Sequence, residues 1–153
     1  MRITDTCVYF HGFQDIYSQW YGKAPFTHFG ITFRTAEHWM MVRKLILFCY
    51  GNPSVKKVRS IIATEQRYYE RTRKHQPDSI YAMLVVPTPR EVKALGRLVS
   101  GFNKTVCMEN VPNILKEGNK LKFEQNPREY EHFKSMKGKT PLLRRAKPIS
   151  YMV

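Results

Sequence analysis

Glu37 and Lys44 are the residues whose types and spacing best suit chemistry. They stand seven apart, two turns of one helix, and so share a face. A carboxylate and an amine on one face place a proton carrier beside a nucleophile. Desolvation or a like charge can lower a lysine pKa toward the free amine. His38 and Arg43 flank the pair. The same spacing also describes a solvated helix face, and spacing alone does not separate the two.

The elements that would position the pair are a short strand running into a helix. Ile31 and Phe33 alternate with Thr32 and Arg34, the period of a half-buried strand. Thr35 can cap a helix, and Glu37 suits its N-terminus. Trp39, Val42 and Ile46 recur at helical spacing and are expected to face a core. The helix should run to about Tyr50 and stop at Gly51-Asn52-Pro53.

This stretch, from Gly30-Ile31-Thr32-Phe33 through Thr35, Glu37-His38-Trp39 and Lys44, resembles the signature of the NADAR family. Three further blocks resemble family motifs in the right order. They are Ser18-Gln19-Trp20-Tyr21 with Pro25-Phe26, Pro89 to Arg97, and Gly118 to Pro127. Together they cover most of residues 9 to 135. The resemblance implies an α+β fold, mainly α-helical, with a small group of N-terminal strands. It implies an N-glycosidase that cleaves a base-like nitrogen from C1 of ribose. The substrate would be ADP-ribosylated guanine in nucleic acid, or a ribosylamino-pyrimidine phosphate of the riboflavin pathway. Lys44 would form a Schiff base with the opened ribose, and Glu37 would shuttle protons. Trp20 and Tyr21 would stack on the base. Ser18, Gln19 and Asn119 would hydrogen-bond it or the sugar, His38 would line the site, and Arg97 and Lys122 would hold phosphate. No metal or other cofactor is implied.

The 153 residues suit one domain with a sizeable core. Three scattered cysteines, Cys7, Cys49 and Cys107, lack metal spacing and suit a reduced, cytoplasmic setting. Residues 1–5 lack the apolar run of a signal peptide, and no stretch approaches the ~18 apolar residues of a membrane span. The net charge of +14 points to a polyanionic partner, nucleic acid above all. A basic surface with no specific partner is the plainer reading. Lys56, Lys57, Arg59, Arg67, Arg71, Arg73 and Lys74 crowd a helix expected over 54–75, which looks like a basic insertion at about 54–76.

Elsewhere the chain suggests a first strand over 7–13 and a loop over 14–28. The aromatics and amides of that loop suit a base, or simply close over the core. Thr88 and Pro89 open a helix with Val92, Leu95, Leu98 and Val99 on its apolar face, ended by Gly101. Further helices are expected over about 111–123 and from Asn126-Pro127 through Phe133. Cys107 occupies the place of a family tryptophan. The domain is expected over 1–137, with 138–153 a basic tail departing from the family pattern. That tail lacks the family's Asp, Trp and Gly segment. Codon degeneracy allows a family-like reading of this tail in the minus-one frame, so a frame-shifted or truncated end is expected, of the kind a small phage genome carries. Without that segment the fold could serve as an inactive basic module that binds nucleic acid or nucleotides.

Overall fold

Trp39 organises the core of the computed structural model, which describes residues 2–3, 7–10, 15–135 and 140–143, with side chains over 15–135. It sits on helix α1 (Ala36–Cys49), is 2 % exposed, and meets Phe33 edge-on at 5.1 Å between ring centroids. Phe26 stacks on Phe33 at 5.7 Å. The Trp39 indole N–H donates to the Ile114 carbonyl at 2.8 Å. In cores, replacing Phe or Trp by Ala typically costs about 3–5 kcal/mol. The ring lies so close to Gly118 that a Cβ there would collide with it.

The strands form two small sheets. β1 (Arg2–Ile3) pairs antiparallel with β2 (Cys7–Phe10), and β3 (Phe26–His28) with β4 (Ile31–Phe33). The β3–β4 turn holds Phe29 and Gly30 at φ of 57° and 74°, the left-handed pair of a tight hairpin. β3 corrects the expectation of loop throughout 14–28, because His28 and Phe26 pair with Ile31 and Phe33. The strand expected first, over 7–13, is β2 over 7–10, preceded by β1; its expected remainder, 11–13, lies outside the described residues.

α1 begins where expected. Thr35 is its cap, and the Thr35 hydroxyl oxygen accepts the His38 N–H at 3.2 Å. α2 (Val55–Thr72) starts at the Ser54 cap, buries Val58 and Glu65, and leaves its basic residues outside. α3 (Ile80–Val85) was not legible in the sequence; Ser79 caps it, and buried Glu65 of α2 accepts the Ile80 N–H at 3.3 Å. α4 (Pro89–Gly96) opens on a capping box of Thr88 and Glu91. It stops at Gly96, five residues before the expected end, and Leu98 is 76 % exposed, outside the apolar face assigned to it.

α5 (Lys104–Glu124) starts seven residues earlier than expected, at the Asn103 cap, and runs through Pro112. A proline inside a helix removes one backbone bond. Here Pro112 and Met108, whose carbonyl loses that bond, are both exposed. α6 (Pro127–Ser135) follows Asn126 as expected. β5 (Thr140–Leu143) pairs parallel with β2, so backbone beyond residue 137 takes part in the sheet. The frame-shift expectation for 138–153 otherwise falls outside the described residues. The chain is one mainly helical domain with a small β component. Among the described residues, no helix is long and apolar enough to cross a membrane.

Candidate active site

α1 carries Glu37 in its first turn and Lys44 two turns on. The loop 15–21 lies across the start of α1, because the Glu37 N–H donates to the Gln19 carbonyl at 3.0 Å. Glu37 is 7 % exposed. Burial pushes its carboxyl above the usual carboxylate range. The Lys93 and Lys44 ammoniums and a bond from the Trp20 indole pull it partly back. The Lys44 ammonium donates to the Gly96 carbonyl at 2.8 Å and stands 4.8 Å from the centroid of Phe102. Gly96 also packs against Met41, where a Cβ would collide with the Met41 sulfur. The glycine therefore lets α4 approach α1 and present its carbonyl to the lysine.

Two further side chains, one in the loop over α1 and one on α5, are buried amides. Gln19, in the loop bonded to Glu37, has both side-chain polar atoms buried without a hydrogen-bond partner. Asn119, 2 % exposed on α5, is in the same condition. Buried amides are nearly always bonded, so these two are candidates for contact with a ligand or water.

The remaining expected residues divide into frame and rim. His38 is fully buried: Nδ1 lies 2.8 Å from the Thr35 hydroxyl and Nε2 2.8 Å from the Val86 carbonyl. Burial holds its pKa below the ordinary imidazole value, which suits a neutral ring fastening α1 to the end of α3. Ser18 turns its hydroxyl oxygen to the Trp20 N–H at 3.1 Å. The Tyr21 hydroxyl donates to Glu129 of α6 at 2.9 Å, and the ring is buried. Lys122, expected at phosphate, is fully buried and donates to the carbonyls of Ile16 at 2.6 Å and Ser18 at 3.2 Å. These two bonds tie the loop at 15–21 to α5. Burial lowers the Lys122 pKa to about 7, against the pull of Glu129.

Arg97 is exposed at the end of α4. Lys93, one turn earlier, stands 6.0 Å from the Trp20 ring and acts on the Glu37 charge. Lys93 and Phe102 were not singled out from the sequence. The spacing of Lys93 and Arg97, four apart on one expected helix, was the available signal. Among the described residues, no group of three His, Cys, Asp or Glu is placed to hold a metal.

The sequence model of the NADAR domain matches residues 9–142. This chain belongs to the NADAR family. The match spans the loop at 15–21, α1, α4 and α5, the elements that supply the site, and takes in most of β5. The NADAR domain is that of a family with N-glycosidase-type activity. No curated protein matches the chain.

Proposed function

We propose that this NADAR chain is an N-glycosidase that hydrolyses the bond between a base-like nitrogen and C1 of ribose. The observation that carries the reading is the buried Glu37 carboxylate, its pKa raised by burial, within the electrostatic reach of Lys44 and Lys93 and bonded by the Trp20 indole. Glu37, protonated, gives its proton to the departing nitrogen as the C1–N bond breaks. The free amine of Lys44 bonds to C1 as that bond breaks; the Glu37 carboxylate then takes a proton from the new C1-bound ammonium and passes it to the ring oxygen, so that the ring opens to a protonated Schiff base. Water then adds at C1, the Lys44 nitrogen leaves, and Glu37 recovers a proton. Trp20 offers its ring to the base, and Gln19 and Asn119 meet the base edge or the sugar. Lys93 and Arg97, at the open end, take the phosphate role. The substrate is a ribosylated base, either ADP-ribosylated guanine in nucleic acid or a ribosylamino-pyrimidine phosphate.

A second reading, a fold that binds nucleic acid without turnover, draws on the exposed basic residues of α2. One experiment separates the two. Wild type and Lys44→Ala are mixed with ADP-ribose and cyanoborohydride, and peptide masses are mapped. An adduct on Lys44, absent from the variant, supports the glycosidase. No adduct at that position rejects the Schiff-base route and leaves the binding module.

A further inference from the structure

The side of α1 opposite Glu37 and Lys44 forms one wall of a cavity of about 440 Å³. Trp39, Val42, Arg43 and Ile46 face it, a stripe about half a turn from the candidate active site. Val58 of α2 extends the apolar floor. Asn52 and Asn113 stand at its polar rim, beside the Arg43–Glu117 ion pair at 2.7 Å. Arg43, which flanks the catalytic pair in sequence, belongs to this cavity, with its guanidinium 4.9 Å from the Trp39 ring centroid.

Phe29 makes the cavity more than a packing gap. It lines the opening, is 52 % exposed, and sits at φ +57° in the β3–β4 turn. A bulky residue rarely takes that conformation, and Asn or Gly is usual there. Its ring centroid lies 3.6 Å from that of His28. Backbone strain of this kind clusters at ligand sites. The Arg59 guanidinium of α2 lies beside the same turn, 3.6 Å from the place a Cβ on Gly30 would take. An exposed ring, an apolar floor, rim amides and a guanidinium together match a flat heteroaromatic group that carries phosphate.

We propose that this cavity is a nucleotide site separate from the candidate active site. The base enters between Phe29 and the apolar floor, its edge meets the Asn52 and Asn113 amides, and its phosphate reaches Arg59. The cavity lies within the 300–1,000 Å³ range usual for small-ligand sites. The nucleotide is free or a unit of a single strand, and the chemistry is the same. This proposal does not depend on the glycosidase reading.

The chain's two tryptophans report on the two sites, Trp20 on the loop and Trp39 at the cavity wall. Indole N–H signals of the full chain, assigned with Trp20→Phe, are followed while AMP or a short oligoadenylate is added. A saturating shift of Trp39 is expected, weakened about tenfold in Phe29→Asn, which keeps the left-handed turn while removing the ring. Asn113→Leu, on the outside of α5, should weaken it as well, and Arg59→Gln should bring AMP toward the affinity of adenosine. Saturation by AMP identifies free nucleotide as sufficient, and saturation by the oligonucleotide alone identifies a strand; both support the site. No saturating Trp39 shift with either probe overturns it. So does movement of Trp20 alone, or a Trp39 shift of unchanged affinity in both Phe29→Asn and Asn113→Leu.

Discussion

Glu37 works against the stability of the fold it belongs to. Its folded pKa is raised by burial, so the folded chain holds a proton that the unfolded chain releases above about pH 4.5. Stability from this group is therefore full below the unfolded value and lost as pH rises through the folded one. Glu37→Gln keeps the shape without the charge. We expect it to melt higher at pH 7, by about 0.5–2 kcal/mol, the range of relieved functional sites. Turnover should fall on the order of 10²- to 10⁴-fold, as when a general acid is removed. Thermal melts of both proteins at pH 4.5 and 7, with single-turnover assays, check this; equal melting at pH 7 would show that the carboxylate is adequately solvated. Helix period put Glu37 and Lys44 on one face, and the family resemblance, not the period, marked that face out. Lys122 and His38 were legible only as polar residues. Nothing in a lysine's type tells whether, at the end of its four-carbon stem, it will meet a phosphate or carbonyls under a loop. Here α5 buries it below the loop at 15–21.

Helix α5 explains why several site residues occur together. Gly118 leaves room for Trp39, Asn119 presents its free amide, and Lys122 ties down Ile16 and Ser18. At its end the Gln125 amide accepts the Thr27 N–H and donates to the Thr27 carbonyl, both at 2.7 Å, covering the edge of β3. Asn126 donates to the Pro25 carbonyl at 2.9 Å, and Pro127 opens α6. The Gly118–Pro127 block is thus a row of fasteners around one pocket residue. The Lys122 pKa, lowered from 10.5 to about 7, gives this element a pH signature. The folded chain binds fewer protons than the unfolded chain between those values, so stability should climb as pH rises from about 7 to 10.5. In Lys122→Met the climb should vanish, and amide exchange across 15–21 should quicken as two carbonyls lose their donor. Urea unfolding at pH 7, 8, 9 and 10 tests it; a climb that persists in the variant assigns it to another group. Caps made α1 and α4 legible at their starts, and Asn126-Pro127 did so for α6. α3 was missed because its six residues show too little period, and the start of α5 because Pro112 suggests a break that an exposed helix face tolerates.

At the scale of the molecule the net charge is +14, and α2 presents part of it on one helix. Lys56, Lys57, Arg59, Arg67 and Arg71 are all exposed along this one helix, whereas Glu65 is turned inward to receive the Ile80 N–H. The inward acid leaves the outer face with a stronger positive field than composition alone implies. Charge runs of this kind were plain in the sequence, but the direction of Glu65 was not, because it depends on α3 arriving beside it. On the second reading, a nucleic-acid strand runs along α2. Each phosphate neutralised releases condensed counterions, which sets a slope of about −0.7 per contact for single strands and −0.9 for duplex in a plot of log K against log salt. Replacing Lys56, Lys57 and Arg67 together by Gln should reduce that slope by about 2–3 and weaken binding similarly for every sequence. Glu37→Gln should leave the slope where it was, since the carboxylate is buried away from the strand. Fluorescence anisotropy of a labelled oligonucleotide between about 50 and 200 mM salt reads both. If the triple variant keeps the wild-type slope, the phosphates lie elsewhere, and α2 is a solvated basic face that keeps the chain soluble.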